Sequence, residues 1–128
     1  MENRYLCRGK RIDNGEWIEG YLYCTPKGAY ISSKYEDLIE VDGDTICQCT
    51  GLKDKNGKLI WENDIVAYWD TYSTESGLAE ADCIGKVVWD DETISFQVTN
   101  RLSAESYEVL DECSVIGNVF DNPELLEE

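Results

Sequence analysis

Short apolar runs alternate along the chain with clusters of Gly, Asn, Asp and Pro about every eight to twelve residues, the spacing of a protein built from many short strands. Arg8 to Tyr23 predicts a hairpin, with an entering strand, a turn at Asp13-Asn14-Gly15 and a returning strand over Trp17 to Tyr23. A second turn at Thr25-Pro26-Lys27-Gly28 leads into a strand over Ala29 to Ser32, because proline presets φ early in a turn and glycine tolerates its late position. Ser33 to Leu38 reads as either a short helical turn or a loop. Ile39-Glu40-Val41 predicts a brief strand, Asp42-Gly43-Asp44 a turn, and Thr45 to Cys49 another strand.

The tightest local pattern lies between Thr50 and Trp69. Asp54-Lys55-Asn56-Gly57 is expected to be a hairpin turn, with Asn56-Gly57 taking the positive φ values of a type I′ turn. Leu59 to Trp61 reads as a strand, Glu62-Asn63-Asp64 as a second sharp turn, and Ile65 to Trp69 as a second strand. A residue suited to positive φ in each turn fixes register across the stretch. Asp70 to Asp82 is polar, acidic and rich in Ser, Thr and Gly, and reads as an exposed loop. Cys83 to Trp89 predicts a strand, turned by Asp90-Asp91-Glu92 into Thr93 to Val98, where Ile94, Phe96 and Val98 alternate on one face. Asn100 to Ser106 connects to Tyr107-Glu108-Val109-Leu110, and Ser114 to Phe120 is the last strand. Asp121-Asn122 is expected to cap a helical turn over Pro123 to Glu127, begun by proline at the first helical position.

These elements imply a mostly β fold. Residues 1–58 form a β-meander, packed on a small SH3-like β-barrel over residues 59–128 that ends in a short helix. The two lobes are expected to make one compact unit, since 128 residues fit a single domain.

Charge changes the picture more than composition does. Residues 1–58 hold nine Lys/Arg against ten Asp/Glu, whereas residues 59–128 hold only Lys86 and Arg101 against seventeen acids. Such a second half repels phosphate backbones, because nucleic-acid affinity comes from cations that release counterions. Direct nucleic-acid binding is therefore not expected. Asp82, Asp90, Asp91 and Glu92 form the candidate acidic interaction face. Asp90-Asp91-Glu92 and Asp42-Gly43-Asp44 lack the spacing of a defined calcium loop. No stretch is long and apolar enough to span a bilayer, and Met1 to Arg8 lacks the apolar region of a signal peptide, so a cytoplasmic location is expected.

Candidate chemistry is sparse. With no histidine, no phosphate-binding glycine loop, no nucleophile elbow and no paired metal motif, neither a hydrolytic nor a nucleotide-handling enzyme is indicated. Six cysteines, at 7, 24, 47, 49, 83 and 113, show no C-x-x-C pair. Cys47 and Cys49 share a face of one strand, where co-ligation of zinc is atypical, so the thiols are read as buried packing groups and no cofactor is expected. Trp17, Trp61, Trp69 and Trp89 are read mostly as core residues. Asp54 is read as a turn acceptor and Asp64 as a carboxylate bonding backbone at a strand entrance.

Three blocks carry a family resemblance: Arg8-Gly9-Lys10 with Gly15-Glu16-Trp17 and Gly20; Thr50 to Lys58 followed by Asp64-Ile65-Val66; and Val115 to Val119 with Asn122 to Leu126. Together they resemble the YopX family of phage and prophage proteins, almost end to end. The resemblance marks Gly51, Leu52, Asp54, Asn56, Gly57, Asp64, Ile65, Val66, Gly117, Asn118, Asn122 and Pro123 as motif residues. It implies a β fold and a phage origin, and it carries no established activity. The family's usual residues are glycine at Asn63 and an aromatic at Cys7 and Cys49. The functional classes left are a non-catalytic interaction module that self-associates, with a protein partner not yet identified, and an acidic decoy that occupies a host DNA-binding protein.

Overall fold

The computed structural model describes residues 6–33, 38–92, 94–99, 106–108 and 113–126. They are mostly β and every strand pairing is antiparallel. In chain order the strands are β1 (Cys7–Lys10), β2 (Trp17–Thr25), β3 (Gly28–Ser32), β4 (Leu38–Val41), β5 (Cys47–Lys53), β6 (Leu59–Trp61), β7 (Asp64–Thr74), β8 (Gly77–Asp90), β9 (Ser95–Thr99), β10 (Ser106–Glu108) and β11 (Ser114–Asn118). Two sheets run β4-β3-β2-β1-β5-β6 and β10-β9-β8-β7-β11. The chain divides into compact units at Met1–Gly51 and Leu52–Glu128, not after Lys58, so the Asp54 hairpin goes with the second unit.

In the first unit β2 does two jobs. Its first half pairs with β1, from Lys10↔Trp17 to Cys7↔Gly20, and its second half with β3, from Tyr21↔Ser32 to Thr25↔Gly28. The turn expected around Gly15 is closed by Gly15 N–H donating to the Arg11 carbonyl at 2.9 Å and Arg11 N–H to the Glu16 carbonyl at 2.9 Å. The Asp42 turn is a short 3-10 helix over Gly43–Thr45, whose Asp44 N–H is accepted by the Asp42 carboxylate at 3.0 Å. Beyond β1 the chain curls back onto β4 through a bridge between Arg11 and Val41. There Asp42 N–H donates to the Lys10 carbonyl at 2.8 Å and Ile12 N–H to the Glu40 carbonyl at 3.2 Å. Ile31, Val41, Cys47 and Cys49 are buried. Alternation sends every second residue of β2, β3 and β4 to the opposite face. Trp17 is half-buried, with the Arg8 guanidinium 4.6 Å above its ring.

The second unit is organised on the β7–β8 hairpin, in register from Ile65↔Lys86 to Thr74↔Gly77. The loop expected over Asp70 to Asp82 is therefore a correction: the backbone there is a two-stranded ribbon turning at Glu75 and Ser76. Residues of the type of Thr71, Tyr72 and Thr74 favour a pleated backbone, but the sequence there lacks the apolar–polar alternation that marks a strand. The core cluster is Ile60, Val66, Val87, Val98 and Cys113, flanked by Tyr68, Phe96 and Val115. Register explains it, since Val66 stands opposite Val115 and Val87 opposite Val98.

Other expectations are corrected. The SH3-like barrel is not formed: β10 and β11 lie at opposite edges of an open sheet, and among the described residues they do not pair. Ile94 precedes β9 in the turn, at φ 53° and 75% exposed, so only Phe96 and Val98 carry the expected alternation into the core. Of the tryptophans only Trp61 is buried, while Trp69 and Trp89 are exposed. Cys24 is exposed and Cys7 and Cys83 are half-buried, so only Cys47, Cys49 and Cys113 meet the burial reading. Part of the Ser33 to Leu38 segment, the Asn100 to Ser106 connection and the end of the Tyr107 to Leu110 strand lie outside the described residues. The C-terminal helical turn is a 3-10 helix over Pro123–Leu126.

Candidate functional site

All the motif residues but Gly51 lie in the second unit, and the polar chemistry of Asp54, Asp64, Asn118 and Asn122 is directed inward. Asp54 ends β5 and is 5% exposed. Its Oδ1 accepts the backbone N–H groups of Asn56 and Lys58, both at 2.9 Å, and its Oδ2 accepts the N–H of Val115 at 2.9 Å. Lys55 N–H adds a bond to the Cys113 carbonyl at 3.0 Å, and Asn56 Nδ2 reaches Ser114 Oγ at 3.1 Å. A carboxylate and a loop amide thus take the place that another strand would occupy beside the start of β11.

Burial alone would push the Asp54 carboxyl upward. The three amide bonds, from Val115, Lys58 and Asn56, together with the Lys58 charge, outweigh it and hold the group below its ordinary value of 3.8. A carboxylate stabilised as the anion and closed in by three donors is a poor general acid and a poor base.

The turn itself differs from type I′. Gly57 has φ 83°, but Asn56 is not at positive φ. Gly57 N–H donates to the Asp54 carbonyl at 3.0 Å and Asp54 N–H to the Lys58 carbonyl at 2.8 Å. This is a three-residue hairpin loop, a type I turn followed by glycine in the left-handed region. The Asp54 side chain holding the Asn56 amide at the first turn of the loop favours this form over type I′.

Asp64 is also buried, at 1% exposure, and its Oδ2 accepts Trp61 N–H at 2.8 Å across the Glu62-Asn63 turn. Asn63 takes φ 70°, as expected, and its backbone links three elements: its N–H donates to the Val87 carbonyl at 2.8 Å and its carbonyl accepts Val119 N–H at 3.0 Å. Ile65 and Val66 are fully buried on opposite faces of β7, whereas Leu52 is exposed and Gly51 lies at φ 81° in β5.

The closing block is a second inward-facing device. Asn118 Oδ1 accepts Phe120 N–H at 3.0 Å and Asp121 N–H at 2.9 Å, and its Nδ2 reaches Asp121 Oδ2 at 3.2 Å. Asn122 does not cap the helix with its side chain. Its Oδ1 turns back to Asn118 N–H at 3.3 Å, and its carbonyl accepts Leu125 N–H at 3.1 Å. Gly117 leaves room for that side chain, because a Cβ there would lie 2.6 Å from Asn122 Oδ1 and 2.8 Å from its Cγ.

The candidate acidic residues fall at two places in the backbone register of β8 and its turn. Asp82 stands opposite Trp69 in the ribbon, and Asp90 opposite Ser95, which puts them about 27 Å apart along β8 at roughly 3.4 Å per residue. Asp90, Asp91 and Glu92 do cluster at the β8–β9 turn. Glu92 N–H is accepted by Asp90 Oδ1 at 2.9 Å, and Trp89 Nε1 donates to Asp91 Oδ1 at 2.8 Å. No group of three or more His, Cys, Asp or Glu side chains among the described residues is arranged to hold a metal ion, and none of the described helices is long and apolar enough to cross a membrane.

The bonds to Val115 and Ser114 join residues far apart in sequence, and sequence reasoning missed them. It also missed the exposure of Trp69 in β7, and of Tyr21 and Tyr23 in β2, whose signal was aromatic residues on alternate positions.

No curated protein matches the chain. Among solved structures it is similar to the protein EF1440 from Enterococcus faecalis, with 24% identity, 94% of this chain and 96% of that chain covered, and a TM-score of 0.49. The model of the family described as YopX protein matches residues 1–127, through all three blocks whose geometry is given above, and the chain belongs to the YopX family.

Proposed function

We propose that this protein is a non-catalytic, self-associating interaction module that works in the cytosol of a bacterial host, in the phage or prophage setting that its family resemblance implies. One contrast carries the reading. The motif carboxylates are turned inward to backbone amides, while large apolar side chains stand in solvent, with Trp69 66%, Leu38 56% and Tyr23 55% exposed. Exposed aromatic residues are what interaction hot spots are made of, and a buried anion closed in by amides has little left to offer a substrate. No direct nucleic-acid contact, membrane contact or cofactor belongs to this reading. The test is sedimentation velocity over a range of concentrations, together with affinity capture from host lysate. Concentration-dependent assembly or a retained protein partner is expected. Turnover of a substrate that Asp64→Asn abolishes in a folded protein would overturn it.

The charge split favours a second reading, an acidic decoy that occupies a host DNA-binding protein. With the boundary at Gly51, residues 1–51 hold six bases against nine acids and residues 52–128 five against eighteen. Such a field steers a basic partner and is screened by salt. Neutralising Asp90, Asp91 and Glu92 together would then slow association more than it speeds dissociation. Capture of DNA-binding proteins that free DNA displaces, lost steeply as salt rises, separates this reading from the first. A captured set that ignores salt removes it.

A further inference from the structure

Three of the five Lys and Arg residues in the second unit sit on one loop: Lys53, Lys55 and Lys58, all exposed, on the hairpin that holds Asp54. Asp54 offers them little on the solvent side, because its carboxylate is buried and bonded to three backbone amides. Leu52 stands next to Lys53 in β5 and is 44% exposed. The β8–β9 turn has the complementary make-up. Asp91 and Glu92 are exposed and Asp90 is half-buried, and Ile94, at the end of the same turn, is 75% exposed.

The loop and the turn are held apart within one chain. Asp54 Oδ2 bonds Val115, Val115 stands opposite Val66, and Val66 stands opposite Gly85. Asp90 lies further along β8 by about 17 Å, at roughly 3.4 Å per residue. Exposed charges separated by that much are largely screened from each other at physiological salt, where the Debye length is about 8 Å.

We propose that the loop and the turn are the two halves of a contact between copies of this chain. The β8–β9 turn of one copy seats on the lysine loop of the next, Ile94 against Leu52 and the three acids against the three lysines. The proposal rests on the reading of the protein as a self-associating module and names its interface. Different patches meet, so each contact leaves one loop and one turn unused, and assembly propagates head to tail. An apolar centre that excludes water strengthens the charge pairs around it, and the charges fix the register of the contact.

Net charge sets the conditions. Two copies at −16 repel through their whole fields at about 0.01 M salt, where screening acts only beyond about 30 Å. Near 0.15 M that repulsion is screened and the charges at the contact decide. At about 1 M, with a Debye length of about 3 Å, their attraction is weakened too. Association therefore passes through a maximum as salt rises. A nucleic acid is a poorer occupant of the loop, because its unbroken phosphate charge also meets the rest of the acidic unit.

The test is sedimentation equilibrium of the full chain over concentration and salt, with two neutralised variants. One carries Lys53→Gln, Lys55→Gln and Lys58→Gln; the other carries Asp90→Asn, Asp91→Asn and Glu92→Gln. Wild type is expected to grow beyond a dimer, with a Kd below about 1 mM near 0.15 M salt. Each variant alone stays at the monomer mass. Mixed, the two form a one-to-one pair and nothing larger, since one intact loop then meets one intact turn. Ile94→Gly weakens assembly about tenfold or more without lowering the denaturation midpoint. Midpoints close to wild type show that the neutralised variants fold. A mixture that stays monomeric, or variants that each assemble as wild type does, overturns the proposal; in the second case the interface lies elsewhere and the self-associating module stands. If wild type is monomeric but retains a host protein, the proposal falls and the interaction module stands. If the lysine variant instead loses a captured nucleic acid or acidic host protein from a monomeric wild type, the loop serves that partner and the proposal is wrong.

Discussion

Replacing Asp54 by asparagine keeps the shape of the side chain and removes its charge and one acceptor. The amide oxygen can face either the Asn56 and Lys58 amides or the Val115 amide, and its NH₂ must then point at the donors left over. One charge-assisted bond is lost with its N–H stranded in a site that is 5% exposed, and the survivors become neutral bonds. At about 1–3 kcal/mol for the stranded group and a further fraction of that for the weakened pair, Asp54→Asn should destabilise the second unit by about 2–4 kcal/mol at pH 7.

The cost should depend on pH. The folded carboxyl titrates below its unfolded counterpart, so its stabilisation is present in full well above 3.8 and is lost as pH falls through the folded value. Urea unfolding followed by tryptophan fluorescence suits the purpose, because Trp61 in this unit is buried. The gap between wild type and variant should be wide at pH 7 and shrink in acid. A difference under about 0.5 kcal/mol at pH 7, the range of an ordinary surface change, would show that Asp54 does not hold β11.

Gly57→Val should cost about 1–3 kcal/mol through backbone strain alone, since φ is 83° and no atom stands within 4 Å of the added Cβ; Gly57→Asn should cost much less, which thermal melts of the pair would show. Gly117→Ala should destabilise by about 1–3 kcal/mol through its clash with Asn122, and Asn122→Ala in the same chain should recover part of that loss, a coupling that a double-mutant cycle measures. Ile94→Gly should stabilise by roughly 0.5–1 kcal/mol, because a β-branched residue at φ 53° and 75% exposure gives up little packing and sheds strain; equal denaturation midpoints would contradict that.

The turns were legible because each depends on a residue whose backbone preference is local. Gly15, Asn63 and Gly57 stand at positive φ where turns were expected, and Pro123 opens the last helical turn. The type of the Asp54 turn was not legible, because it depends on which amides one carboxylate gathers. Val115 lies 61 positions from Asp54, and no short-range pattern reports such a bond. The ribbon over 70–82 was missed for a different reason. Strands are recognised by alternating apolar and polar residues, and the sequence from Asp70 to Thr74 carries no such alternation. The burial of Trp69 and Trp89 was misjudged because a large aromatic residue marks a strand without saying which face is covered. The separation of the lysine loop from the β8–β9 turn needed the register of β11, β7 and β8, which pairing supplies and composition does not.

The central claim is that the motif carboxylate is architectural, closed by three backbone donors and unavailable to a substrate. An acid titration of the ¹⁵N-labelled protein, following the amide protons of Asn56, Lys58 and Val115, tests it most directly, because an N–H bonded to a carboxylate reports that group's protonation. All three resonances should move together with a single midpoint below 3.8, and none should so move in Asp54→Asn. Three separate midpoints, a common midpoint at or above 3.8, or a Val115 amide that does not respond would contradict the account.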